Sequence, residues 1–167
     1  MNADQKANLK NVAIASLSFT FLFGIIETFI AGIAYAVIAA PIAGLIFGLL
    51  MYLFVNSKKV KEQTALAKEN QGGIIYSGAA NHFKNAEAVG GKLYLLNDRV
   101  EFKSHSFNIQ SHAFNIYLTE IKELSFYKTL GIVPNGLKIN LSNGEVEKFV
   151  VNNRSTWKTE IEKLVIV

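Results

Sequence analysis

The chain carries three imidazoles, His82, His105 and His112, which are its best candidates for chemistry. A neutral imidazole ring can bind a metal ion, and a protonated one moves protons near neutral pH. Their spacing fits no metal-ligand pattern, and no carboxylate accompanies them in a compact motif. Surface or half-buried histidines without a metal are therefore expected. The chain has no cysteine, which removes thiol catalysis, thiolate metal sites and disulfides, and fits a reducing compartment. It also has no nucleophile elbow, no glycine-rich phosphate loop followed by lysine, and no His-Glu-x-x-His helix. Neither catalysis nor a cofactor is expected.

The elements that would position any site begin with an apolar run. Residues 12–55 are 44 positions with one charge, Glu27. One helix needs about 20 apolar residues to cross the hydrocarbon core, so the run predicts two spans, 9–26 and 36–55, joined by a turn between Glu27 and Tyr35. Glu27 then lies near an interface, where a carboxylate costs little, and neither span holds a second ionisable residue to make it an ion relay. Pro41 falls in the first turns of the second helix, as a start or a kink. Lys6 and Lys10 precede the pair, Lys58, Lys59 and Lys61 follow it, and the turn has no Lys or Arg. This asymmetry predicts a two-span integral membrane protein with both termini cytoplasmic. A cleavable signal ending at Ala34-Tyr35-Ala36 is the rival, but residues 37–55 would still need a membrane. Gly44 and Gly48 form a small-xxx-small pair for helix packing, either against the first helix or in a homo-oligomer.

Residues 57–71 read as a polar, helix-prone linker that extends the second span until Gly72-Gly73 ends it. From Lys58 onward there are 15 basic and 11 acidic residues, too balanced for a nucleic-acid partner and matched to an anionic leaflet nearby. Residues 72–167 carry short alternating runs. Val100 and Phe102 alternate with Arg99, Glu101 and Lys103, after a turn at Asn97-Asp98. Leu137, Ile139 and Leu141 alternate with Lys138 and Asn140, and Ser142-Asn143-Gly144 turns the chain into 145–151. Segments 73–82, 112–117 and 121–128 bring the total to about seven strands. Trp157, Ile161, Leu164 and Val165 then form one stripe of a terminal helix capped by Asn152 or Asn153. Residues 131–136, with exposed Ile132 and Val133, read as a mobile rim loop. The fold class is α+β: an N-terminal transmembrane helical hairpin (1–56), then a seven-stranded β-barrel capped by a C-terminal helix.

The stretch Gly91-Lys92-Leu93-Tyr94-Leu95-Leu96-Asn97-Asp98-Arg99-Val100-Glu101-Phe102-Lys103-Ser104 resembles the central hairpin of GRAM domains, a branch of the pleckstrin-homology-like superfold. Ile121 and Leu124 are similar to that family's next strand, while Leu96 stands where a threonine is usual. The resemblance implies a non-enzymatic module that binds membrane lipids or proteins. A headgroup site needs several Lys or Arg converging on a multiply charged phosphate, and Lys84, Lys92, Arg99 and Lys103 are the candidates. Glu101 sits among them and lowers the local potential. The leading expectation is a cytosolic reader of anionic lipid headgroups at the inner leaflet. The alternative is a protein-docking or assembly module on a membrane anchor, and a small transporter or channel subunit is a third reading.

Overall fold

The computed structural model describes residues 3–84 and 87–165, apart from the side chains of residues 3, 4, 7, 68–70 and 84. The chain divides between Lys61 and Glu62 into two compact units.

In the first unit, α1 (Ala3–Ala31) and α2 (Ile33–Asn56) are separated by Gly32 alone. Its φ of 87° is open to glycine and strained for other residues. The break falls inside the expected turn region but is shorter, so Glu27 lies within α1. Pro41 lies well inside α2, not at its start, and its ring withdraws the amide that would bond the carbonyl of Val37. The segments Asn8–Ala31 and Ile33–Asn56, 24 residues each, are long and apolar enough to cross a membrane. Leu17, Phe21, Phe29, Ile33 and Leu45 are all exposed on their outer faces.

Small and hydroxyl side chains line the seam between the two helices. Ser16 Oγ donates to the carbonyl of Gly44 at 2.7 Å, Thr20 Oγ1 donates to the carbonyl of Ser16 at 2.9 Å, and Phe19 stacks on Phe47 at 4.6 Å. A Cβ at Gly44 would collide with Thr20 Oγ1 and stand 3.0 Å from Thr20 Cβ, and one at Gly48 would stand 2.8 Å from Ser16 Oγ. Gly44→Val should therefore part the helices at a cost of about 2 kcal/mol. Disulfide trapping between cysteines placed at Phe19 and Phe47 should fall several-fold, and unchanged trapping would contradict this packing.

The second unit starts ahead of the expected boundary at 72. The helix does not run on through the linker: Ser57 turns extended (φ −60°, ψ 142°), and a short α3 (Lys58–Thr64) and a 3-10 turn (Lys68–Gly73) follow. The reason is Leu66, which is buried against Tyr94 and Leu96 with Ile74 packed alongside. Burying that side chain lays the linker on the sheet, where a continued helix would leave it in solvent.

Seven antiparallel strands follow: β1 (Tyr76–Lys84), β2 (Glu87–Leu95), β3 (Arg99–Ser104), β4 (Ala113–Tyr117), β5 (Ile121–Thr129), β6 (Val133–Leu141) and β7 (Val146–Val151). They form one curled sheet in the order β4-β3-β2-β1-β7-β6-β5, and α4 (Arg154–Val165) packs on β5 and β6. The two halves of the sheet meet at β1 and β7, which share three residue pairs, Ala80 to His82 with Val151 to Phe149. Both expected hairpins are present, and Gly144 turns the second at φ 91°. The expected rim loop is mostly strand, because Val133 already pairs with Thr129 and the connection shrinks to a tight turn.

Alternating inward side chains, among them Leu93, Leu95, Val100, Phe102, Leu137, Ile139 and Phe149, fill the curl. Trp157 and Ile161 of α4 close it, with Trp157 edge-on to Tyr76 at 4.7 Å and Gly78 leaving room for the indole. Leu164 packs against this core, whereas Val165, expected on the same stripe, is exposed. Asn153 serves the helix start through its backbone carbonyl, which accepts the Trp157 N–H.

Candidate functional site

Of the four basic residues singled out from the sequence, Lys92, Arg99 and Lys103 have described side chains, and Arg99 and Lys103 are engaged within the domain. Lys92 and Lys103 face each other across β2 and β3, with Lys92 Nζ 5.2 Å from the centre of the Tyr94 ring. Lys103 Nζ donates to the carbonyl of Ala65 at 2.6 Å, and Tyr94 Oη donates to that of Thr64 at 2.7 Å, so both hold the linker against the sheet. Gln63 adds two hydrogen bonds with Ser106. Arg99 bonds Asp98 at 2.9 Å and Glu101 at 3.4 Å. Burial works against its charge, but the two carboxylates outweigh it and hold the guanidinium more firmly protonated than usual. The side chain of Lys84 lies outside the described residues.

A different basic surface lies on the outer face of β5 to β7. Lys138 and Lys148 stand opposite each other on β6 and β7, where side chains of paired residues project to the same side. Among the described residues neither side chain has a hydrogen bond or an ion pair. Glu123, the carboxylate nearby on β5, accepts from Asn140 at 3.3 Å. Lys148 also borders a groove of about 380 Å³ lined by Phe83, Tyr127, Thr129 and Leu130. The Tyr127 ring lies over Gly136, where a Cβ would come within 2.5 Å of it, and its hydroxyl donates to the Phe149 carbonyl at 3.3 Å. Burial pushes the Tyr127 hydroxyl pKa upward, with Thr129 pulling the other way, so it serves as a neutral hydrogen-bonding group.

The turn that ends this groove is unusual. Ile132 N–H donates to the Thr129 carbonyl at 3.1 Å across Leu130 and Gly131, at φ 52° and φ 74°. This is the primed turn of a tight hairpin, which favours Asn-Gly over Leu-Gly. Leucine in the left-handed region costs on the order of 1 kcal/mol. The turn nevertheless presents Leu130 at 89% exposure and Ile132 at 79%. The sequence showed Ile132 and Val133 as exposed, but not the strain at Leu130. The basic pair was legible as the polar half of the second hairpin, where counting from Ser142-Asn143-Gly144 sets Lys138 across from Lys148.

No compact motif joins the histidines to a carboxylate, but the fold brings one to His82 from a distant strand and buries the ring, which was expected at the surface or half-buried. His82 on β1 is 4% exposed, its Nδ1 is 2.9 Å from His112 Nε2, and its Nε2 is 2.5 Å from Glu147 Oε2 on β7. Phe102, Phe114 and Phe149 surround the ring. His105 stands apart, over Gly90 and near Asn108, and burial lowers its pKa below the ordinary value. No group of His, Asp or Glu suited to a metal ion occurs among the described residues.

The seven antiparallel strands form a half-barrel closed by a C-terminal helix, the fold class expected from the sequence. No protein-family model matches the sequence, and no curated protein matches it. Solved structures do. The C-terminal domain of an unknown protein from Leishmania infantum is 14% identical, over 56% of this chain and 84% of that one, with a TM-score of 0.50. The Vps36 N-terminal PH domain is 11% identical over 65% and 93%, with a TM-score of 0.47. The Slm1-PH domain, solved in complex with phosphoserine, is 11% identical over 56% and 97%, with a TM-score of 0.46. At 14% identity and a TM-score of 0.50, the first of these likenesses is one of fold alone.

Proposed function

We propose that the chain is a non-enzymatic, two-span membrane protein whose GRAM-like domain docks on anionic lipid headgroups at the cytoplasmic leaflet. The observation that carries this reading is the turn at Leu130 and Ile132. Two exposed apolar side chains stand on a backbone strained for leucine, beside the Lys148 groove and the Lys138 partner. Strain held at an exposed turn marks function more often than stability. An apolar tip beside unpaired cations suits a surface that is apolar inside and anionic outside. Anchoring through α1 and α2 keeps the domain at high effective concentration near the lipid, so a small basic patch suffices. Neither Arg99 nor Lys103 is needed in this site, since both serve the domain's own structure.

Leu130→Asn separates function from stability, because asparagine tolerates the left-handed conformation that leucine resists. The variant is expected to melt at or above the temperature of the parent domain. Its partition onto anionic vesicles should fall several-fold, because an apolar anchor is lost. Equal partition by both forms would remove the turn from the binding surface.

A further inference from the structure

Glu147, His82 and His112 form a hydrogen-bonded chain that headgroup binding does not use. It bridges the place where the two halves of the sheet are joined most thinly, since β1 and β7 share only the three pairs that end at His82 and Phe149. The His82–Glu147 bond extends that seam beyond its last backbone pair, and the His82–His112 bond ties it to the residue preceding β4. We propose that this chain is a proton-operated latch, which holds the β1–β7 seam closed at neutral pH and releases it in acid.

The argument rests on counting protons. The Glu147 carboxylate only accepts, so His82 Nε2 must carry the hydrogen of the 2.5 Å bond. The 2.9 Å contact between His82 Nδ1 and His112 Nε2 is a hydrogen bond only when one of those nitrogens lacks its proton. The closed latch therefore holds at most three protons on its four ring nitrogens, whereas two separated imidazolium rings hold four. With both rings charged, two N–H groups would point at each other and the bond must break.

The other groups facing His82 offer no relief. Phe102 from β3, Phe114 from β4, Phe149 from β7 and Val89, its partner on β2, are apolar. Glu147 is already bonded to the far side of the ring, and Glu87, two residues from Val89 on the same face of β2, accepts from the Ile109 N–H at 3.2 Å. The side chain of Lys84, two residues along β1, is outside the described residues. His105 lies on the other side of the sheet, over Gly90. Once both rings of the open form are protonated, it binds one proton more than the closed form. Opening is then favoured about tenfold for each pH unit of further acidification.

The test is amide hydrogen exchange on the full chain in nanodiscs from pH 7.5 to 5, corrected for intrinsic rates, with α4 as the internal reference. Those amides among Ala80 to His82 and Phe149 to Val151 that bridge β1 and β7 should lose protection about tenfold per pH unit as the medium is acidified, while α4 amides hold theirs. In His82→Gln, whose side-chain amide still donates to Glu147 but does not titrate, that slope should vanish. A flat wild-type profile, or the same slope in the variant, overturns the latch. Should the variant fail to fold, nitrogen NMR of the wild-type rings decides. Loss of the His82–His112 coupling together with seam protection supports the latch, and coupling that survives loss of protection refutes it.

Discussion

Reversing Lys138 and Lys148 together, as Lys138→Glu and Lys148→Glu, should abolish association of the β unit with anionic vesicles and leave its fold intact. Each basic residue near an anionic surface contributes about 1 kcal/mol, and each reversal replaces that attraction with a comparable repulsion. The pair should therefore weaken binding by on the order of a hundredfold or more. Neither lysine side chain has a hydrogen bond or ion pair to lose among the described residues, so the melting temperature should move little. Reversing Arg99 instead should behave in the opposite way. Its guanidinium joins Asp98 and Glu101, so Arg99→Glu gathers three carboxylates on one turn and destabilises the domain with little specific effect on binding.

Trp157→Ala should have the largest effect on stability. The indole is 1% exposed and closes the curled sheet against Tyr76. Replacing a buried tryptophan by alanine costs about 3–5 kcal/mol, a large share of the stability of a domain this size. Urea unfolding of the 62–167 fragment should show a midpoint shifted far toward water, or no folded baseline. A shift equivalent to less than about 1 kcal/mol would mean that α4 is a peripheral element and not the plug of the core.

The parts of this molecule legible in the sequence are those governed by local pattern. The apolar run defines two helices through length alone, and Val100, Phe102, Leu137, Ile139 and Leu141 declare their strands by alternation. Asn97-Asp98 and Ser142-Asn143-Gly144 place two hairpins in register. The remainder depends on contacts between distant residues. The linker reads as helix by propensity, but one buried leucine, Leu66, draws it onto β2. Glu147 meets His82 only because β7 pairs with β1, and no spacing in the sequence announces that seam. The expected headgroup residues illustrate a further limit. Alternation correctly placed Arg99 and Lys103 on an outer face, but the linker backbone and the neighbouring carboxylates that engage them cannot be read from a strand's own pattern.

Docking on anionic lipid is tested most directly by flotation of the 62–167 fragment, which has its own core and lacks both apolar helices. The fragment would be mixed with neutral vesicles, and with vesicles containing phosphatidylserine or phosphoinositide, at low and physiological salt. The proposed function predicts flotation with anionic vesicles alone, weakened but not eliminated at physiological salt, because the apolar tip adds a contribution that screening does not reach. Failure to float with any anionic composition at low salt, in a fragment shown to be folded, would contradict it and leave protein docking as the role of the β unit.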